Sequence, residues 1–413
     1  MINYFFRYFT TFRNFIKLNE FNKISKTDVI LMSHDNDLGY LYMNKRYATI
    51  LDSLDFFLKQ QNISTLSISR PFSRIYGNKS FSNSLSVNGI IQRAYFLEKL
   101  NRSFFYFTKY KSNLIVDAWT NILLKAGAKI VIAIQPSVEL CLASKKNGII
   151  ICDYQHGVLS NQVGYYGTEY RKKFKNEGWP DYILCWNKYF ENWVLKNIGL
   201  ETTPILLGNP WFLRIFKSGN ENFPFLKDFN KLKYKNNALP KILVTLQWDF
   251  ENLDRDVNEI GMKNELYKFI QNNTSKFIWY IRLHPNMLSD KQFIKKVGKF
   301  FNKFDNLEWE QASQLPLPLV LSIINIHITS YSAVTIEASW LGIRTALLFH
   351  EKESLHEYFH EQIESGYAEL VYPTELNLGK WLHRNIGIKI KDNIQIGETD
   401  KLNIFIKRIL TTI

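Results

Sequence analysis

Three short runs place reactive side chains where apolar segments end. Asp153-Tyr154-Gln155-His156-Gly157 follows the apolar run Ile149–Cys152. A strand that ends in a polar run closing on glycine presents its histidine at a sheet edge. There an imidazole, which titrates near neutrality, can act as a general base, with Asp153 to orient it. Trp279-Tyr280-Ile281-Arg282-Leu283-His284-Pro285 turns abruptly from apolar to cationic. Pro285 stops the strand, because it lacks an N–H and restricts the residue before it. Arg282 and His284 at one strand end suit a phosphate or a sugar oxygen. In Thr329-Ser330-Tyr331-Ser332-Ala333-Val334-Thr335-Ile336-Glu337-Ala338, hydroxyl groups lie between a strand and a helix. The free N–H groups of the first helical turn, with Ser330, Ser332 and Thr335, then converge on a phosphate, and Glu337 sits further in, where a ribose diol would lie. Each run also has a plain structural reading: a turn histidine, an edge salt bridge, an N-cap serine.

Two further patterns compete. His356-Glu357-Tyr358-Phe359-His360 matches the His-Glu-x-x-His pattern of zinc peptidases, in which one helix face carries both imidazoles. It lies in a strongly polar segment with no motif for a third ligand, and a solvated amphipathic helix explains it better. Asp35-Asn36-Asp37 resembles an Asp-x-Asp metal motif, but is equally well read as turn chemistry or as an acceptor-side patch.

The elements that must position these runs follow from periodicity. Apolar runs at Val29–Met32, Thr65–Ile68, Lys129–Ile134, Ile149–Cys152, Tyr182–Cys185 and Ile205–Leu207 predict strands, and helical spacing separates them, as in Thr49–Lys59 and Val138–Lys146. Such alternation builds a parallel sheet covered on both faces. Residues 216–240 lapse into Lys, Asn, Gly and Pro and read as a linker. The pattern resumes with strands at Ile242–Leu246, Phe277–Leu283, Ile326–Thr329 and Thr345–Phe349, helices at Lys263–Asn272 and Ser332–Leu341, and a last helix within 398–413. The expected fold class is α/β: two Rossmann-like, doubly wound parallel-sheet domains, 1–215 and 241–397, facing one cleft, with chemistry at strand C-terminal ends.

Bulk properties narrow the partners. A chain of 413 residues suits two domains, and 46% hydrophobic residues is globular composition. No window carries the apolar length of a membrane-spanning helix. The net charge of +14 attracts phosphate-bearing partners, but its even spread and the lack of a recognisable module argue against nucleic acid. The segment Met1–Leu18 mixes aromatic and basic residues, reading either as a core-packed first helix or as a peripheral contact with an anionic membrane. Cys141, Cys152 and Cys185 form no Cys-x-x-Cys pair and are expected as buried, inert thiols in a reducing cytoplasm.

Taken in order, Gln155-His156-Gly157, His284-Pro285 and Ser330-x-Ser332 with Glu337 resemble GT-B glycosyltransferases of bacterial capsule and lipopolysaccharide assembly. Similar layouts occur in CMP-sugar-using sialyltransferases and in CDP-glycerol-using teichoic acid polymerases. The resemblance implies that His284, Pro285, Ser330 and Ser332 hold the nucleotide and that His156 is the base. It implies a nucleotide-sugar donor, preferably a CMP-activated nonulosonate or Kdo, and a saccharide or lipid-linked saccharide acceptor. No metal or other cofactor is expected, since fixed cations and helix N–H groups can neutralise the leaving phosphate. A polyol-phosphate transferase, a UDP-sugar transferase or epimerase and a non-catalytic binding protein are the alternatives. The implied place is the cytoplasm, on or near the inner face of its membrane.

Overall fold

The computed structural model describes residues 18–35, 37–104, 113–159, 164–167, 171, 175–217, 223–247, 258–348, 358–388 and 399–412. The chain divides into two compact units, one comprising 1–217 with 397–413 and the other 218–396.

The first unit holds strands β1 (Val29–Ser33), β2 (Tyr40–Tyr42), β3 (Lys45–Tyr47), β4 (Thr65–Ser69), β5 (Ile130–Ala133), β6 (Ile150–Tyr154), β7 (Tyr182–Cys185) and β8 (Thr203–Leu206). All but β2 and β3 form one parallel sheet in the order β4-β1-β5-β6-β7-β8. Its strands are near-continuous apolar runs because both faces are covered. Helices α1 (Leu51–Gln60), α2 (Asn88–Phe104), α3 (Leu114–Ala126), α4 (Val138–Lys146), α5 (Lys188–Asn197) and α6 (Pro210–Phe216) supply the cover. Trp119, Ile122 and Leu123 of α3 pack with Val131 and Ile151 of the sheet in one buried cluster.

The second unit repeats the plan with β9 (Lys241–Thr245), α7 (Asn264–Asn272), β10 (Ile278–Arg282), α8 (Lys291–Phe301), β11 (Leu307–Glu308), α9 (Glu310–Gln314), β12 (Ile326–Thr329), α10 (Val334–Ser339), β13 (Arg344–Leu348), α11 (His360–Glu364), β14 (Ala368–Val371) and α12 (Glu375–Asn385). Its order, β11-β10-β9-β12-β13-β14, is fully parallel. Numbered by appearance this is the 3-2-1-4-5-6 order of dinucleotide-binding sheets, which reverses direction between β9 and β12. The first sheet reverses between β1 and β5. Crevices open at such points, outside the strand C-termini. Trp279, Phe269, Leu378 and Trp381 anchor the second core.

The segment 216–240, expected as a linker, is a folded part of the second unit from 223 onward. Phe223, Phe225, Phe229 and Leu232 are buried. Tyr280 Oη donates to Lys233 O at 2.8 Å, and Asn306 N donates to Tyr234 Oη at 3.1 Å. Its Lys and Asn residues mask this apolar set in a composition reading. The last helix, α13 (Thr399–Thr412), returns to the first unit, where Phe405 meets Tyr182 edge-on, ring centroids 5.5 Å apart. Among the described residues no helix is long and apolar enough to cross a membrane. Cys141, Cys152 and Cys185 are free and buried, and burial pushes their thiols up. Residues 1–17, which carry nearly all of the expected first helix, lie outside the described residues.

Candidate functional site

In the first unit, Gln155-His156-Gly157 forms the turn that leaves β6. Gln155 is fully buried and clamps both sides of the turn: its Nε2 donates to Gly157 O at 2.8 Å and its Oε1 accepts from Trp186 N at 2.8 Å. Gly157 has φ +98°, a conformation that L side chains rarely adopt. The turn therefore holds His156 half-exposed beyond the strand end.

Asp153 does not orient that imidazole. β6 runs two residues further than expected, through Tyr154, and carries Asp153 into the core with no exposed surface. Its Oδ1 accepts from Gln135 N at 2.8 Å, which fastens the β5 exit, where Gln135 has φ +52°. Burial raises its carboxyl to about 7, against Gln135 N–H, Arg171 and Tyr166, which favour the charge.

The carboxylate beside His156 is Asp37, with Oδ1 at 3.9 Å from Nε2. That is ion-pair range rather than a hydrogen bond. Asp37 is buried at the start of α1, accepting from Thr49 Oγ1 and from the backbone N–H groups of Ile50, at 3.1 Å, and Leu51, at 3.5 Å. Burial raises its carboxyl, while His156 and these donors hold it down. His34, at the end of β1, completes the group. Burial, then Arg70 and His156, lower it to about 4, so it is neutral near pH 7 and its Nε2 accepts from Arg70 Nη1. The sequence does not single out His34 and Arg70, and it offers Asp37 as turn chemistry or as part of an acceptor-side patch, not as the partner of His156. The missed signal was a fourth polar run closing an apolar strand, Ser33-His34-Asp35 after Val29–Met32. Asn36 lies outside the described residues.

In the second unit, His284 and Pro285 leave β10. His284 is half-buried, and its Nδ1 accepts from Asn286 N at 3.2 Å, which leaves Nε2–H as the donor to a ligand. Burial lowers its pKa. Arg282 is placed differently from expectation. It is 7% exposed, and its guanidinium Nη1 donates to Ala312 O and, at 2.9 Å, to Leu315 O. It braces the α9 turn from within the unit rather than standing open to a ligand.

At the end of β12, Ser330 is half-buried, and Ser332 Oγ accepts from Val334 N at 3.3 Å in the turn that leads into α10. Thr335 is buried, and its Oγ1 has no hydrogen-bond partner among the described residues. Glu337 is half-buried; burial pushes it up to about 8, and Arg282 pulls it down. Because β10 and β12 both run parallel to β9, the residues that leave β10 and those that lead into α10 lie at one edge of the sheet. Gln247, beyond β9, joins them: its Nε2 donates to Thr329 Oγ1 at 3.4 Å. A neutral carboxyl, an imidazole N–H and serine hydroxyls at a sheet's reversal point can bind a nucleotide without a metal. His356 and Glu357 lie outside the described residues.

These carboxyls make stability depend on pH with a fixed sign. Asp52 and Asp153 are raised to about 7 and Glu337 to about 8, all by burial. Each binds its proton more tightly when folded. Their stabilisation is full below the ordinary carboxyl pKa near 4 and is lost as pH rises through 7 and 8. The lowered histidines His34, His284 and His327 act in the opposite sense below about pH 6.5, so the carboxyl effect is read above it. The apparent Tm should fall from about pH 6.5 to about pH 8.5, and Asp153→Asn should flatten the part near 7. A flat profile in the parent protein would mean these carboxyls are already ionised.

No protein-family model matches the sequence, and no curated protein matches it in sequence. Solved structures match almost the whole chain in fold. A putative UDP-N-acetylglucosamine 2-epimerase from Listeria monocytogenes is 12% identical with a TM-score of 0.59, over 94% of this chain and 97% of that one. UDP-GlcNAc 2-epimerase from Methanocaldococcus jannaschii is 15% identical with a TM-score of 0.58, over 93% and 99%. The wall teichoic acid polymerase TagF is 12% identical with a TM-score of 0.53, over 100% of this chain and 94% of that one. At such identities the likeness is one of fold: the chain is GT-B-like, with two α/β units, each built on a parallel sheet of six strands.

Proposed function

We propose that the protein is a nucleotide-dependent transferase of cell-surface polysaccharide assembly, with His156 as its base. The observation that carries this reading is the half-exposed His156 held beside the buried Asp37. An acceptor hydroxyl gives its proton to His156 as its oxygen attacks the activated centre, and the electron pair of the broken bond leaves on the nucleotide phosphate. Asp37 then stabilises the imidazolium. His284, Ser330, Ser332, Thr335 and Glu337 are assigned to the nucleotide, with Arg282 bracing their strand end from within.

The solved folds bear on the donor. Structures of this fold from Neisseria meningitidis and Methanocaldococcus jannaschii are described with UDP-GlcNAc bound, which favours a uridine diphosphate sugar. A CMP-activated nonulosonate or Kdo, implied by the sialyltransferase resemblance, draws no support from them. The same folds favour one second reading, a UDP-sugar 2-epimerase, which would release isomerised or free sugar with no acceptor present.

A nucleotide that binds only the folded protein must stabilise it, by about 2.7 kcal/mol at a hundredfold excess over Kd. UDP or CDP is expected to raise the Tm by a few degrees and CMP to raise it less. If no nucleotide shifts the Tm at millimolar levels, the assignment of the second unit fails.

A further inference from the structure

We propose that a cavity in the first unit, at the point where its sheet reverses, binds an anionic saccharide: one sugar ring carrying a carboxylate or phosphate. The cavity has a volume of about 300 Å³ and lies at the C-terminal ends of β1, β4 and β5. That size suits one substituted ring and lies at the low end of ligand pockets.

Its chemistry is lopsided. Two arginines line it, Arg70 and Arg171, and no aspartate or glutamate does. Arg171 is spent within the fold: it donates to Gly178 O at 2.7 Å and to Pro136 O, and its guanidinium lies 4.0 Å from the Tyr165 ring centroid. Arg70 is exposed, and among the described residues the one hydrogen-bond partner of its guanidinium is the neutral His34. Its charge therefore faces the cavity with no counter-ion among the described residues. A carboxylate or phosphate supplies one and takes the guanidinium's remaining N–H groups.

The apolar lining has the form of a sugar platform. Trp119 is buried, while Phe72 and Tyr95 stand 53% and 39% exposed at ring centroids 5.4 Å apart. Two bulky rings left in water are a cost that the C–H face of a pyranose would relieve. Phe72 is held there against its backbone preference, with φ +67°. The buried Asn88 pins it, accepting from Phe72 N at 2.7 Å and donating to Ser73 O at 3.0 Å. Strain kept by so specific a clamp is the mark of a preorganised binding residue. Arg70 also ties the cavity to His34, which feels His156 electrostatically. An anion on Arg70 thus sets a neighbouring hydroxyl toward the base, and the bound sugar is the acceptor. That last step rests on the proposed function; the binding does not.

Saturation-transfer NMR on the full chain, without nucleotide, tests the binding with methyl β-glucuronide, galactose 1-phosphate, neutral methyl β-glucoside and UMP. Either anionic sugar should bind at least tenfold more tightly than the glucoside, and which of the two does so tells carboxylate from phosphate. Phe72→Ala and Tyr95→Ala, both at exposed positions, should each weaken the anionic sugar about tenfold, and Arg70→Met should erase its advantage over the glucoside. Equal binding of charged and neutral sugars, no loss in either aromatic variant, or displacement of the anionic sugar by UMP would overturn the proposal. UDP stabilisation measured on the same variants reads the second unit; its loss in the parent protein would count against the proposed function and leave the saccharide result standing.

Discussion

His156→Ala should lower the transfer rate by about 10²- to 10⁴-fold, the usual contribution of a positioned general base, while leaving the fold intact. The fold survives because the turn is held by Gln155 and Gly157 rather than by the half-exposed imidazole. Asp37→Asn tests the pairing separately. It removes the carboxylate that faces the imidazolium formed in the transition state, so the maximal rate should fall. The amide keeps a carbonyl oxygen to accept from Ile50 N at the start of α1, so folding should persist. Near-normal turnover in His156→Ala, with the parent's thermal stability, would remove the base assignment. An unchanged maximal rate in Asp37→Asn would leave the histidine in place and remove its partner.

Why the sequence does not pair Asp37 with His156 is a matter of distance along the chain. The parallel strands were legible as unbroken apolar runs, since a strand covered on both faces needs no polar alternation. The lone histidine after one such run was legible for the same reason. Its partner stands at the exit of β1, with β5 between that strand and β6 in the sheet. Nothing in either local pattern encodes that order.

Smaller elements failed for local reasons. The β2–β3 hairpin turns at Met43 and Asn44, with φ +48° and +62°. Such turns usually announce themselves as Asn-Gly or Asp-Gly; a methionine there gives no signal. β11 has two residues, and β14 has an exposed Glu369 between buried Ala368 and half-buried Leu370. As the two edge strands of their sheet, neither carries a long apolar run. In the second unit Arg282 and His284 read as one ligand-binding pair, because neighbouring basic residues look alike in a string. Folding separates them: residue 282 is the last of a strand with every position buried, and residue 284 lies beyond it.

That separation makes Arg282→Ala the most telling substitution in the second unit. If the guanidinium gripped the nucleotide, its loss would raise KM and leave the Tm of the free protein alone. The bonds to Ala312 and Leu315 say otherwise. Truncation strands both carbonyls and takes away the cation beside Glu337. Breaking a buried charged group out of its network costs about 3–5 kcal/mol, so urea unfolding of the second unit should shift by that order without any ligand. Glu337, having lost its one favourable charge, should become harder still to ionise, and the fall in stability with rising pH should extend to higher pH. Arg282→Lys should rescue little, because an ammonium cannot reproduce the planar fork that reaches two carbonyls. An unchanged free-protein stability with a raised KM would return Arg282 to the ligand. The predicted result, a weakened unit whose nucleotide affinity falls only as its folding does, would leave His284, through its Nε2–H, as the side chain of that strand end that meets the nucleotide.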